Sequence, residues 1–251
     1  MQTTNLVSLQ HTLYNSRNPT RRWLHTTRRD RVIDAIKNAP VPSTHRAMEV
    51  GPGSGVYLPT LCQRFAQVVA LDVEPSHIED CRTIASQYPN LTLQLGDLCK
   101  IEWENKHDLV LCSEVLEHVP DPARFMKGLS KALNKNGMLV LSTPQPKSFM
   151  ELTASIALSK PVIGLTRMIY REPVLPTGHI SVTASSTVLR LMKENGLEII
   201  SSTYFGLYLP AIAEFGGGLG VSVLSAGQRL LQRIGPRGLL WTQLHVARKR
   251  G

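Results

Sequence analysis

The chain has 251 residues, 42% hydrophobic and 19% charged, which is enough apolar material for one large α/β core and excludes a disordered or fibrous chain. Its net charge of +9 is unevenly placed: residues 1–46 carry +6, residues 47–146 carry −4 and residues 147–251 carry +7. The four cysteines form no CxxC pair, which argues against a zinc ribbon or disulfide framework, and the 6% aromatics do not interleave with basic runs as in a single-strand nucleic-acid platform.

The N-terminal stretch is rich in Arg, Ser and Thr, with no acid before Asp30, a composition shared with organellar transit peptides. Arg21 to Asn38 also reads as a helix ended by Ala39-Pro40-Val41-Pro42, and that reading is adopted. Ala47–Val50 is a short apolar run before a glycine cluster, hence a buried strand. Strands at Val68–Asp72, Leu91–Leu95, Leu109–Cys112 and Met138–Thr143 alternate with helices at Val56–Phe65, Ser76–Tyr88 and Asp121–Leu133, with Asn136-Gly137 as a turn. Such alternation predicts an α/β, Rossmann-like, mostly parallel sheet with helices on both faces. Pro146 to Ser181 reads as an insertion, Ser185 to Asn195 as a helix, and Leu197–Tyr204 as a strand. Phe205–Gly238, rich in glycine and apolar residues, is a second insertion before a last strand, Leu240–Arg248. Leu207 to Leu231, the longest weakly charged run, is broken by Pro210, Glu214 and Gly216-Gly217-Gly218, so no transmembrane helix is expected. The expectation is one domain over 1–251: a lid at 1–45, a core at 46–145, and inserts at 146–184 and 205–238. A cytoplasmic location is expected, with organellar targeting left open.

The most informative motif is Glu49-Val50-Gly51-Pro52-Gly53-Ser54-Gly55 after the first strand. Its glycines allow a tight turn and a close backbone approach to a ligand. A dinucleotide fingerprint, G-x-G-x-x-G, would need glycine at 56, where the chain has Val56, so a nicotinamide dehydrogenase is the weaker rival. Asp72 ends the second strand, where a carboxylate can accept two ribose hydroxyls, and Gly96-Asp97-Leu98 follows the third. Either aspartate alone could simply cap a helix.

Residues 46–143 resemble a class I S-adenosylmethionine (SAM)-dependent methyltransferase. The resemblance implies a seven-stranded sheet with an antiparallel last hairpin. It also implies Gly51, Gly53 and Gly55 near the methionine part of SAM, Asp72 at ribose, and Asp97 with Leu98 at adenine; Glu49, Ser54, Val73 and Ser113 complete the expected cofactor set.

After the fourth strand comes Ser113-Glu114-Val115-Leu116-Glu117-His118-Val119-Pro120-Asp121-Pro122. Its E-x-x-E-H spacing sets Glu114, Glu117 and His118 within one turn, a candidate Mg²⁺ or Mn²⁺ site with His179 as a distant fourth ligand. A metal-free alternative makes His118 or His179 a general base beside Glu114. This segment, Ser142-Thr143 and Thr177–His179 resemble the ubiquinone-biosynthesis O-methyltransferases (methyltransferase type 11). The E-x-x-E-H with a distant histidine also resembles small-RNA 2′-O-methyltransferases, which bind a metal. The first resemblance implies O-methylation of a small, lipophilic, quinone- or phenol-like acceptor. N- or C-methylation, RNA methylation and a SAM-binding scaffold without catalysis are the alternatives. Tyr14, Arg22, Trp23, His25 and Arg28 are candidate lid residues, as are Met150, Met168, Ile169 and Tyr170. Basic flanks and apolar inserts suit an acceptor taken from an anionic membrane; nucleic acid is the less favoured partner, and the oligomeric state is not read from the sequence.

Overall fold

A computed structural model describes residues 13–42, 45–102, 107–157 and 182–251, and within 154–157 the backbone only. The first helix, α1 (Pro19–Asn38), starts where the Asn18 side chain accepts hydrogen bonds from the Thr20 and Arg21 amides with proline in the first turn. It stops at Ala39, before Pro40. Alternating strands and helices follow: β1 (Arg46–Val50), α2 (Leu58–Arg64), β2 (Gln67–Asp72), α3 (Pro75–Asp80), α4 (Arg82–Ala85), β3 (Leu91–Leu95), β4 (His107–Ser113), α5 (Pro122–Lys131) and β5 (Leu133–Pro144). Then come α6 (Phe149–Ala157), α7 (Ser185–Glu194), β6 (Leu197–Phe205), α8 (Pro210–Phe215), α9 (Gly217–Ile234) and β7 (Thr242–Lys249).

The strands form one seven-stranded sheet in the order β3-β2-β1-β4-β5-β7-β6. β1 to β5 pair in parallel, whereas β7 runs antiparallel between β5 and β6. β4 is buried along most of its length, as expected of a parallel strand covered on both faces. One face carries a core that includes Val32 and Ile36 of α1 with Leu58 and Leu61 of α2; the other includes Met126 and Leu129 of α5 with Val188 and Met192 of α7. Four thiols, Cys62, Cys81, Cys99 and Cys112, are free, and three of them are buried, in keeping with packing roles.

Two expectations need correction. Asn136-Gly137 is not a turn: both residues lie inside β5, which slips register against β4 between His107 and Leu109, and Asn136 takes φ 63° to absorb the irregularity. The single helix expected over Ser76–Tyr88 is split at Cys81 into α3 and α4. The second insertion, to which the sequence reading assigns no element, contains two helices, α8 and α9. No helix among the described residues is long and apolar enough to cross a membrane. Met168, Ile169, Tyr170 and Thr177–His179 fall outside the described residues.

Candidate active site

The loop after β1 is shaped by its glycines. Gly51 sits at φ 70° and its amide donates to Leu71 O at 2.8 Å, tying the turn to the end of β2. A Cβ there would stand 2.4 Å from a Val115 methyl, so no other residue fits unstrained. Gly53 also has positive φ, but a Cβ on it would meet nothing within 4 Å. That opening is where a ligand can approach the backbone.

A cleft of about 300 Å³ opens beside this loop, at the carboxyl ends of β1 to β4, where open α/β sheets bind ligands. Gly51, Asp72, Val73, Asp97, Leu98 and His118 are among its walls. Both aspartates are already set by local bonds. Asp72 accepts from the Glu74 amide at 2.9 Å and lies 3.0 Å from His77 Nδ1; Asp97 accepts from the Cys99 amide at 2.9 Å. Each thus serves the start of the next segment, as the capping alternative required, and is also part of the cleft wall. The hydrogen bond it donates to the Asp72 carboxylate holds the His77 imidazole above its ordinary pKa, against the opposing effect of burial.

Glu49 is buried next to the loop, with Oε2 lacking a partner among the described residues. Burial, aided by the nearby Asp72 charge, pushes its carboxyl up to about 8 from 4.5. The folded state therefore holds the Glu49 proton more tightly than the unfolded chain does. Stability tied to that proton is complete below about pH 4.5 and is lost as pH rises through about 8. In ligand-free protein, the native urea midpoint is expected to fall relative to that of Glu49→Gln as pH rises through that window. Parallel curves for the two proteins would contradict the assignment.

Beyond the cleft, the site turns on a buried charge pair. Glu114 directly follows β4 in the left-handed region, at φ 57°, a conformation that costs a non-glycine residue energy and is tolerated where the surroundings fix it. Its amide donates to Ser142 O at 2.9 Å. Its carboxylate accepts from Arg28 Nη1 at 2.7 Å and from Ser142 Oγ at 3.0 Å. The Ser113 and Ser142 hydroxyls lie 2.9 Å apart, extending the chain of polar contacts across β4 and β5. The Arg28 guanidinium stands 5.0 Å from the Trp241 ring centre, and His25 meets that ring edge-on at 5.5 Å. Burial opposes the Arg28 charge, but the Glu114 carboxylate, with Tyr57, Tyr14 and Glu117, outweighs it and holds the group above its ordinary value. Burial, with the Arg28 and Arg21 charges, pushes His25 down to about 3, so this imidazole is neutral.

The cation cluster expected of Glu114, Glu117 and His118 is not assembled. Among the described residues no group of three or more His, Cys, Asp and Glu side chains could hold a metal ion. Glu114 commits its charge to Arg28 on α1, whereas Glu117, in a short 3₁₀ turn (Leu116–His118), is buried and accepts from Thr143 Oγ1 at 2.9 Å. Only His118 of the three lines the cleft. The fourth expected ligand, His179, lies outside the described residues. Methyl transfer, proposed below, is accordingly expected to survive EDTA; loss of activity on chelation, restored by Mg²⁺ or Mn²⁺, would reinstate the cation site.

A family model described as a methyltransferase domain matches residues 3–202. The mitochondrial ubiquinone biosynthesis O-methyltransferase of Schizosaccharomyces pombe is 32% identical over 124 residues, 48% of this chain and 45% of that protein. Its counterpart from Leptothrix cholodnii is 25% identical over 163 residues, 61% of this chain and 64% of that one. The matches thus span less than two thirds of each relative. The magnesium protoporphyrin IX methyltransferase of Synechocystis PCC 6803, solved with bound SAH, shares the fold: its TM-score is 0.64 at 15% identity, covering 98% of this chain and 95% of that one.

Proposed function

Because the chain belongs to the methyltransferase-domain family, we propose that it transfers the methyl group of SAM to an oxygen of a small, lipophilic, quinone- or phenol-like acceptor. The observation that carries this reading is the cleft itself, which gathers Gly51, Asp72, Val73, Asp97, Leu98 and His118 at the ends of four adjacent strands. The ubiquinone O-methyltransferase relatives support the oxygen acceptor.

The residues present fit the cofactor. Gly53 leaves open space beside its backbone, and the buried Glu49 carboxyl, whose Oε2 has no partner among the described residues, is a group that a cationic ligand would draw into its charged form. Gly51, Gly53, Ser54 and Gly55 would take the methionine part, with Asp72 and Val73 at ribose and Asp97 and Leu98 at adenine; Ser113 completes the set. Bound SAM supplies an activated methyl on a sulfonium. What remains for the chain is to orient the acceptor and take its proton. His118, on the cleft wall, is the proposed proton acceptor. The Arg28–Glu114 pair fixes the wall beside it, and α1 and Trp241 exclude water. The whole chain would work as one domain, α1 serving as its lid.

His118→Gln is expected to lower turnover by about a hundredfold or more while SAM affinity stays within about twofold. Labelled SAM, offered with lipid, small-molecule, RNA and protein fractions of a cell extract, should mark the small-molecule or lipid fraction. Label in RNA or protein instead would redirect the acceptor assignment, and no label in any fraction would favour a binding scaffold.

A further inference from the structure

The outer face of α9 is apolar and basic. Leu219, Val223, Leu230 and Ile234 are exposed, spaced four, seven and four residues apart, so at 3.6 residues per turn they share an arc of roughly 60°. Leu219 is 81% exposed and Ile234 75%, and Phe215, just before the helix, is 82% exposed. Arg229 and Arg233 flank the stripe on one side, and Arg237 follows the helix. None of these three arginines makes an ion pair with a described residue; Arg229 reaches only Ser225 Oγ, at 2.8 Å. From Phe215 to the last residue the chain has six Lys and Arg and no Asp or Glu.

This stripe is not a frayed edge. The neighbouring face of α9, centred roughly 110° round the helix, is anchored: Gly220, Leu224 and Gln228 are buried, Leu224 packs in one cluster with Leu24 and Trp241, and Gln228 Oε1 accepts from the Gly206 amide at 2.7 Å. A helix fixed on one side, with exposed large apolar side chains and uncompensated arginines on another, has the profile of an interfacial helix. The absence of acids argues for an anionic surface over a protein of mixed charge.

We propose that α9 seats this protein on an anionic lipid bilayer, its stripe entering the acyl boundary and Arg229, Arg233 and Arg237 meeting lipid phosphates. The surface is carried by α9 and the residues at its two ends, and goes beyond methyl transfer. It also has a consequence for the active site: α1 packs Leu24 against the inner side of α9 and, one turn on, sends Arg28 to Glu114. The bilayer would therefore lie one helix layer from the acceptor end of the site.

Sedimentation of the full chain with vesicles tests this. Binding to phosphatidylcholine containing about one-third phosphatidylglycerol should exceed binding to phosphatidylcholine alone by about tenfold or more, and should fall as salt rises from about 0.05 to about 0.5 M. The L219E/I234E variant should lose binding, and R229Q/R233Q should weaken it by about tenfold. Both variants should keep the native melting temperature and SAM affinity; because SAM affinity is read separately, failure here is distinct from failure of the methyl-transfer reading. If L219E/I234E melts early, R229Q/R233Q decides. Equal binding to the two vesicle types would overturn the proposal, as would unchanged binding by whichever variant is decisive. So would a dimer in light scattering that L219E/I234E splits without any vesicle binding, since a second copy would then cover the stripe.

Discussion

Replacing Arg28 with methionine is expected to destabilise the protein by about 3 kcal/mol and to abolish most turnover. The side chains of Arg28 and Glu114 are 14% and 18% exposed, so removing the cation strands a largely buried carboxylate. Glu114 already occupies a strained backbone conformation at φ 57°, and among the described residues its carboxylate accepts from Arg28 and Ser142. Loss of the arginine also uncovers the Trp241 ring it now covers. Adding Glu114→Gln to the Arg28→Met protein should recover much of the stability, because the stranded charge is gone. Urea unfolding of the two singles and the double gives the coupling directly. A double variant no more stable than Arg28→Met alone would show that the pair does not act as a unit.

Asp72→Ala is expected to weaken SAM binding by about a hundredfold or more. Two hydrogen bonds to a charged group, at about 1.5 kcal/mol or more each, set that scale. The fold should persist, because the sheet register around β2 rests on backbone pairing with β1 and β3. The alanine also releases His77, whose imidazole should then return toward its ordinary pKa, and NMR titration of that ring reports whether the local contact has gone. Asp72→Asn keeps an acceptor for the Glu74 amide and should lose less affinity than the alanine. Equal affinity in all three proteins would take the ribose away from Asp72.

Local patterns were legible and long-range ones were not. Leu91–Leu95 was read to the residue because Asn90 and Gly96 bound it, and the glycine turn after β1 was read because its spacing lies within seven residues. The helices of the second insertion were hidden by their glycines. Gly216 and Gly220 let α8 and α9 pack closely: a Cβ on either would approach Ile212 O to 2.5 or 2.6 Å. Tertiary packing there overrides the poor helix propensity of glycine. Asn136-Gly137 carries a hairpin signal, yet the strand it interrupts continues because β4 and β7 pair with β5 on both sides. The pattern Glu114-x-x-Glu117-His118 was misread as a ligand set for a related reason. Its spacing is that of one helical turn, but Glu114 stands before the 3₁₀ turn at positive φ and faces an arginine 86 residues away. Nothing local announces Trp241 as the ring that receives Arg28.

Calorimetric titration of the native protein with SAM and, separately, with NADH tests the central claim most directly. The fold and cleft predict SAM binding in the micromolar range, roughly 1–100 μM, and no measurable NADH binding, since the loop has Val56 where a dinucleotide site needs glycine. Gly51→Val should erase the SAM signal, because its side chain would collide with Val115 at the mouth of the turn. NADH binding as tight as SAM, or undiminished SAM binding by a folded Gly51→Val protein, would contradict the account.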